Sequence, residues 1–309
     1  MSPDGYDPRV VGNTNQLRKH TVRRLNHQLK TLCKNNREGS YGTQVQRERD
    51  LTLIANQLHE LGYRGMNSHS LKPKHVEALV GHWVENEVTT GTIKNRMSAV
   101  RWWARKVNRQ NVVARSNDFY GIANRIFVTN TSKAKSILEA DLAKVRDEHV
   151  KMSLELQQAF GLRREESIKF IPVYADQDDH LILKPSWTKG GKPRVIPIRT
   201  EEQREVLNRA HKLAGKGSLI PSARNYVQQV RIYDGHTIRA GLSKMHGLRH
   251  AYAQQRYEEL TGWKPPAAGG PPCKSLTQGQ REKDHQVRLV ISREMGHERE
   301  QVTAVYLGR

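Results

Sequence analysis

The sequence has no long apolar run and almost no cysteine. No stretch approaches the roughly 18 consecutive apolar residues of a transmembrane helix, and the opening MSPDGYDPRVVGN is polar, so neither a membrane span nor a signal core is predicted. Cys33 and Cys273 are far apart in sequence and match no metal-binding or redox spacing. Reduced thiols and a cytoplasmic location are therefore expected.

Acidic residues are also in short supply. The 309 residues include 31 Asp and Glu against 52 Lys and Arg, which gives a formal net charge of +21. This excess favours nucleic acid as the partner, because neutralising phosphates releases counterions. A basic protein of the membrane surface is the rival class. It is disfavoured because the sequence shows no long amphipathic basic helix with exposed aromatic residues.

Apolar periodicity predicts a helical, basic first domain over residues 1–126. Helices are predicted over 16–35, 44–61, 72–87 and 90–109, with Ser70 as the cap of the third. Residues 1–15 are rich in Gly, Pro and Asn and are interpreted as an N-terminal arm. The segment FVTNTSKAKS, residues 127–136, is polar without periodicity and is predicted to be a linker to a second domain, residues 137–309.

The second domain is predicted to be mostly helical with one small antiparallel sheet. Residues 138–161 are predicted to form a single helix. The strands HLILKPSW and PRVIPI follow, with Gly190 and Gly191 at the turn between them. A helix over 200–215 is expected to begin with a capping box of Thr200 and Gln203, and further helices are expected around Gln280 and near the end. The chain as a whole is therefore predicted to be mainly α.

Two segments of this domain place charged residues at breaks in the chain. In AFGLRREESIKF, Arg163 follows a helix break, and Glu166 is spaced to orient it by a bidentate ion pair. The alternative is a solvated charge cluster. In TKGGKPRVIPI, Lys189 lies at a glycine hairpin that can approach a ligand closely, with Lys192 and Arg194 beyond it. The alternative is an ordinary exposed hairpin.

Two further segments carry histidines. His246, Arg249 and His250 share one helical face at positions i, i+3 and i+4. Zinc proteases place a glutamate beside the first histidine, where this chain has Gly247, and the arginine repels a cation, so the face suits a phosphate better than a metal. For His250 the alternative is a satisfied structural histidine. The fourth segment, REMGHEREQVTAVYLGR, contains His297 and Tyr306, and alone the tyrosine reads as an ordinary core or surface aromatic.

Taken together, the segments GLRREE, KGGKPR, HGLRH and MGHEREQVTAVY resemble, in order and spacing, the motifs of the tyrosine recombinase family, which includes phage integrases. Phe160, Met295 and Ala251 depart from the usual Thr, Leu and Thr of these motifs, and none of these changes removes a catalytic group. The helical first half is similar to the family's core-binding domain. Three residues follow Tyr306, whereas many relatives continue into a helix that docks on a neighbouring subunit; the short tail resembles prophage and genomic-island integrases.

The resemblance implies a site-specific DNA recombinase that integrates or excises a mobile element through a 3′-phosphotyrosyl intermediate. Because bond energy is conserved in the covalent link, no ATP is needed. Because arginines would stabilise the transition state, neither a metal nor another cofactor is expected. The implied catalytic set is Arg163, Lys189, His246, Arg249, His297 and Tyr306, supported by Glu166 and His250.

The expected partners are double-stranded DNA attachment sites, further copies of the chain in a homotetramer on DNA, and an excision factor, with a nucleoid-associated location. The two basic domains suit a clamp around the duplex. The predicted DNA contacts are Lys94, Arg96, Arg101 and Arg105 on helix 90–109, together with Lys192 and Arg194. For that helix the alternative is a solvated face over an apolar core.

Two other functions are compatible with the sequence. One is a type IB topoisomerase-like enzyme that relaxes DNA by related chemistry without a cognate site. The other is a non-catalytic DNA-binding accessory protein with vestigial motifs. The complete set of Arg, Lys, His and Tyr residues argues against the second alternative.

Overall fold

The computed structural model of the chain describes residues 24–297 and 299–309. The chain divides into two compact units, Met1–Arg125 and Ile126–Arg309. The beginning of the predicted first helix and the predicted N-terminal arm lie outside the described residues. Within the described ranges, no helix combines the length and the apolar character needed to cross a bilayer.

The first unit contains four α-helices in its described part. They are α1 (24–35), α2 (Tyr41–Glu60), α3 (Pro73–Glu85) and α4 (Thr90–Lys106), followed by short 3₁₀ turns at Gln110–Val112 and Asp118–Tyr120. Ser40 and Thr89 cap α2 and α4 with their hydroxyls. The prediction that Ser70 caps the third helix is wrong, because the N-cap of α3 is Lys72 and Pro73 occupies the first helical position.

Two tryptophans form the centre of the first unit's core. Trp83 and Trp103 are fully buried among apolar residues of α2, α3 and α4. Each indole N–H is satisfied: Trp83 Nε1 donates to Gln57 Oε1 (2.9 Å) and Trp103 Nε1 donates to the carbonyl of Ser68 (2.7 Å). Because a buried indole needs such a partner, these bonds fix how the helices pack.

The second unit is mostly helical and carries one small sheet. Strands β1 (His180–Leu183) and β2 (Arg194–Pro197) pair antiparallel, with Leu183 opposite Arg194. The prediction of a mainly α chain with a small antiparallel sheet is therefore confirmed. The helices are α5 (Glu139–Leu142), α6 (Glu148–Phe160), α7 (Arg164–Ile168), α8 (Pro172–Ala175), α9 (Glu201–Ala214), α10 (Tyr226–Arg239), α11 (His246–Thr261), α12 (Gln278–Glu294) and α13 (Glu300–Leu307).

Three local predictions in this unit need correction. The single helix predicted over 138–161 is two helices, because Asp147 accepts from Val150 N (3.0 Å) and starts α6 as a new N-cap. The first predicted strand ends at Leu183, since Pro185 begins a 3₁₀ turn. Thr200 caps α9 as predicted, because its hydroxyl accepts from the backbone N–H of Gln203. At this described helix start the second bond of the predicted capping box is not formed, because the Gln203 side chain accepts from the backbone N–H of Arg199 and not from that of Thr200.

Part of the predicted linker lies against the second unit. Lys135 N donates to the carbonyl of Gly247 (3.0 Å), and Ser132 Oγ donates to Gln254 Oε1 (2.9 Å). Asn130 bonds both the N–H and the carbonyl of Arg309. Residues 130–135 are thereby tied to α11 and to the C-terminal segment.

Candidate active site

Arg249 lies at the centre of the site. The first turns of α11 place it on the buried face of the helix, and its side chain is only 1% exposed. Its two terminal nitrogens donate to the backbone carbonyls of Gly161 and Met295, and its Nε lies 3.4 Å from the hydroxyl of Tyr306. Burial, reinforced by the neighbouring Arg194 and Arg163, lowers the pKa of Arg249 to about 9. The positive charge is thus held by neutral carbonyls.

The break between α6 and α7 supplies one of those carbonyls and places Arg163. Gly161 ends α6 with φ +58°, and a Cβ there would lie 2.7 Å from the ring of Tyr252. This position therefore requires glycine. Arg163 follows as the N-cap of α7, and its Nη2 lies 3.2 Å from both the carbonyl of Met295 and Nε2 of His297.

Glu166 is shared between two arginines. Its Oε1 pairs with Arg163 Nη1 (2.6 Å), and its Oε2 pairs with Arg194 Nη1 (2.5 Å). Glu166 orients Arg163 as predicted, but its second bond is to the backbone N–H of Arg163 (2.7 Å) and not to a second guanidinium nitrogen. Burial raises the pKa of Glu166, but the guanidinium groups around it outweigh burial and lower it overall. The carboxylate stays ionised.

Arg194 is a buried side chain paired with Glu166, and not the exposed DNA-contacting cation that the sequence predicts. Its side chain is 2% exposed and also donates to the carbonyls of Glu294 and Gly161. Its bonds join the start of β2 to α6, α7 and α12, so it holds together the elements that carry the site residues. Its charged head is buried because Glu166 compensates it.

The charges of the site do not balance. Among the described residues, three guanidinium groups, those of Arg163, Arg194 and Arg249, surround the carboxylate of Glu166. Desolvated cations without a matching anion attract a phosphate strongly, and guanidinium groups bind phosphate oxygens by paired N–H bonds. The arrangement is thus suited to a phosphate group.

Tyr306 lies beside these arginines. It is in the last turn of α13, is 6% exposed, and its hydroxyl lies 3.4 Å from His246 Nε2 as well as from Arg249 Nε. Its ring packs against His250, with centroids 4.6 Å apart, and stacks on His297 at 5.7 Å and 22°. The structure thus brings together Arg163, His246, Arg249, His297 and Tyr306. Glu166 contacts this group through Arg163, and His250 contacts it through the ring of Tyr306.

The three histidines are held neutral. Burial and then nearby cations lower the pKa of His250 to about 4 and that of His297 to about 3, and the pKa of His246 is lowered by the same causes. Since arginine can only donate, Nε2 of His297 accepts from Arg163, which assigns the proton to Nδ1. That buried Nδ1 has no partner among the described residues.

Lys189 is the exception in the predicted set. It is exposed at the hairpin turn, where Gly190 and Gly191 have φ of +88° and +68°. In the described part of the chain, no hydrogen bond or ion pair joins it to the other five residues. The hairpin is nevertheless anchored at the site, because Arg194 at its base pairs with Glu166.

The remaining predicted DNA contacts differ in how exposed they are. Arg105 is exposed, and Lys94 bonds Asn124 Oδ1 (3.0 Å). Arg101 donates to the carbonyl of Ala114 and to Asn117, and Arg96 lies over the ring of Trp83 at 5.5 Å, so both are engaged within the unit. Lys192 is exposed on the hairpin.

The buried histidines predict acid sensitivity. The folded pKa of His250 lies below the unfolded value of about 6.5, so the unfolded state binds more protons and stability falls as pH drops below about 6.5 towards 4. We expect His250→Asn to lose less melting temperature between pH 7 and pH 5 than the unsubstituted chain. Differential scanning fluorimetry measures this, with His27→Asn, at an exposed position of α1, as the control. Equal acid losses in His250→Asn and the unsubstituted chain would contradict the assignment.

Two family models match the chain. The family model "Phage integrase, N-terminal" matches residues 22–113, and the model "Integrase" matches residues 125–255, a range that contains Arg163, Lys189, His246 and Arg249 but ends before Tyr306. No curated protein matches the chain. The two family matches define the class of the protein, which is an integrase. The chain belongs to the phage integrase family of tyrosine recombinases and is a site-specific DNA recombinase, as its motifs predicted.

Solved structures share the fold. The chain is similar to XerH site-specific recombinase bound to palindromic difH substrate (TM-score 0.58, 13% identity, 92% of this chain and 81% of that chain). It is similar to a lambda integrase tetramer bound to a Holliday junction (0.57, 14%, 100% and 84%). It is also similar to the Tn1549 transposon integrase in complex with circular intermediate DNA (0.54, 14%, 94% and 95%).

Proposed function

We propose that this recombinase cuts and rejoins DNA through a covalent bond between Tyr306 and a 3′-phosphate, and so integrates or excises a mobile genetic element. One observation carries the proposal. The Tyr306 hydroxyl lies 3.4 Å from both His246 Nε2 and Arg249 Nε, in a site where Arg163 and Arg194 pair with Glu166. A nucleophile, a base and an anion-binding site therefore converge.

In the forward step, the phenolic oxygen of Tyr306 attacks the scissile phosphorus. His246, which its lowered pKa keeps neutral at neutral pH, accepts the phenolic proton at Nε2 in the tautomer that carries its own proton on Nδ1. The bond from phosphorus to the 5′-oxygen breaks as the tyrosyl bond forms. Attack by the 5′-hydroxyl of a partner strand reverses the step, so no energy source is consumed.

Charge on the nonbridging oxygens is stabilised by fixed donors. Arg163 and Arg249 supply charge-assisted N–H bonds, which strengthen as the transition state gathers negative charge. His297 supplies the buried Nδ1 proton that has no partner among the described residues. Glu166 holds Arg163 in place, and His250 packs against the ring of the nucleophile.

Lys189 is the proposed general acid for the leaving 5′-oxygen. An ammonium group can give up its proton where guanidinium cannot. Its exposed position on a glycine hairpin, anchored at its base by Arg194, lets it approach DNA when the duplex is bound.

The proposed partner is double-stranded DNA carrying an attachment site, held through Lys94, Arg105 and Lys192, in a nucleoid-associated complex. A homotetramer on DNA and an excision factor complete the proposal. The excess of basic residues over the whole sequence supports a duplex partner.

The proposal is tested with a nicked attachment-site duplex that traps the cleaved state by losing the short 5′-hydroxyl fragment. We expect a covalent protein–DNA adduct that resists denaturant, with the nucleotide mapped to the peptide containing Tyr306. A supercoiled plasmid without the site should not be relaxed. Failure to form any adduct on the true attachment site, or relaxation of every plasmid, would overturn the proposal.

The use of arginines for charge stabilisation also predicts the effect of chelators. Adduct formation on the same substrate should proceed at an unchanged rate in excess EDTA, because fixed guanidinium groups perform the task that other phosphoryl-transfer enzymes give to metal ions. The rate is measured by gel with and without added Mg²⁺ at constant ionic strength. A strict requirement for a divalent ion would contradict this prediction.

A further inference from the structure

The backbone on the C-terminal side of Tyr306 is held by side chains from three other parts of the second unit. Gln254 Nε2 on α11 donates to the carbonyl of Tyr306 itself (2.9 Å). Arg288 Nη1 on α12 donates to the carbonyl of Gly308 (2.9 Å). Asn130 bonds the N–H and the carbonyl of Arg309, each at 2.9 Å. We call residues Tyr306–Arg309 the nucleophile tail.

The nucleophile needs this external support because its own helix is short. Helix α13, Glu300–Leu307, has 8 residues, and isolated helices below about 12 residues are marginal in water. Its last carbonyls also lack partners inside the helix and must find them elsewhere. The position of the Tyr306 hydroxyl is therefore set by what the tail contacts.

The tail also fits tightly against its surroundings. Gly308 has φ +77°, and a Cβ there would lie 2.7 Å from both the backbone N of Ala267 and Oδ1 of Asn130. Leu307 is fully buried. Small displacements of the tail are thus opposed on several sides.

Arg288 is the most constrained of the three supports. It is 2% exposed, its Nε lies 2.9 Å from both carboxylate oxygens of Asp284, and Asp284 accepts from the hydroxyl of Tyr257 at 2.5 Å. The carboxylate of Asp284 therefore compensates the charge of Arg288. Because Nε makes that contact, Nη1 of the planar guanidinium group can donate to the carbonyl of Gly308. The arginine bridges α11 and α12 to the nucleophile tail.

We propose that Arg288 is a positioning residue for the cleavage reaction, acting through the Gly308 carbonyl to keep the Tyr306 hydroxyl at its 3.4 Å contacts with Arg249 and His246. The inference rests on the proposed function, in which Tyr306 is the nucleophile. Arg288 touches neither the phosphate-binding arginines nor Tyr306's hydroxyl. Arg288 affects the cleavage rate only by restricting the position of the Tyr306 hydroxyl. A displacement of a reacting group by about 1 Å can lower a reaction rate roughly 10²-fold.

The test compares Arg288→Lys with Arg293→Lys, which makes the same exchange at an exposed position on the same helix. A lysine at 288 keeps a cation beside Asp284, so folding is retained, but a single ammonium cannot serve Asp284 and Gly308 together. We expect single-turnover cleavage at saturating protein to fall about 10- to 100-fold in Arg288→Lys, with an unchanged Kd for DNA. The variant should be fully folded at the assay temperature, although loss of the bond to Gly308 lowers its melting temperature. Arg293→Lys should match the unsubstituted chain.

A second variant and a spectroscopic readout separate positioning from general stability. Asn130→Ala removes a second of the three side-chain supports of the tail and should also slow cleavage. Fluorotyrosine incorporated at position 306 should give a broadened or split ¹⁹F resonance in Arg288→Lys but not in Arg293→Lys. A normal cleavage rate in Arg288→Lys, or a loss of rate matched by a loss of DNA affinity, would overturn the inference. Absence of any adduct with the unsubstituted chain would instead overturn the proposed function.

Discussion

Tyr306→Phe should bind attachment-site DNA normally and form no covalent adduct. Phenylalanine keeps the ring packed against His250 and His297 and removes only the hydroxyl, so the fold and the cationic surface remain. Because the variant lacks the oxygen that attacks the phosphorus, cleavage should fall by at least about 10⁴-fold, as it does when other enzymes lose their nucleophile. Gel-shift titration measures binding, and denaturing gels of the nicked substrate measure adducts.

A matched control for this variant is Tyr233→Phe. Tyr233 is also a buried tyrosine of the second unit, with its hydroxyl bonded to Gln157, and burial raises its pKa to about 12. Removing that hydroxyl should leave adduct formation intact. If Tyr306→Phe still formed adducts on the nicked substrate, another residue would be the nucleophile.

The site could be anticipated from the sequence because its side chains lie in short motifs. His246, Arg249 and His250 follow helical spacing, and α11 places them as that spacing predicts. Gly161 likewise marks the chain break before Arg163, and Gly190 and Gly191 mark the turn beside Lys189. The convergence of these segments on one tyrosine could be inferred only from the resemblance, since neither periodicity nor spacing reports contacts between residues more than a hundred positions apart.

What the sequence did not indicate is set by backbone atoms and burial. The carbonyls of Gly161 and Met295 hold Arg249, and no side-chain pattern marks a carbonyl. The sequence favours a surface position for Arg194. The burial of this first residue of β2 depends on how the sheet packs on α12, and the sequence does not report that packing. One sequence feature that indicates a buried Arg194 is Glu166, because a single carboxylate can pair with two arginines. The break at Asp147 was missed for a related reason, since an Asp within a helical pattern can be either a surface residue or an N-cap.

Arg249→Ala should give the second large effect. Loss of one preorganised donor to a developing oxyanion costs about 10²–10³-fold, or about 3–4 kcal/mol, in the rate of cleavage. DNA affinity should change little, because Arg249 is 1% exposed and the sequence retains many other cations. Single-turnover cleavage of the nicked substrate, measured at saturating protein, separates the two quantities.

Burial complicates the alanine variant, so a second substitution is needed. Alanine removes one of the two donors to each of the carbonyls of Gly161 and Met295, which keep only the bonds from Arg194 (3.4 Å) and Arg163 (3.2 Å). It also removes a large buried side chain, and both losses destabilise the fold. Arg249→Lys keeps the charge but cannot span both carbonyls and the phosphate, so it should fold better than alanine and still cleave slowly. Arg239→Ala, at an exposed arginine of α10, controls for the loss of one positive charge. Cleavage at the normal rate by Arg249→Lys would mean that charge alone suffices and that the forked geometry of the guanidinium contributes nothing to the transition state.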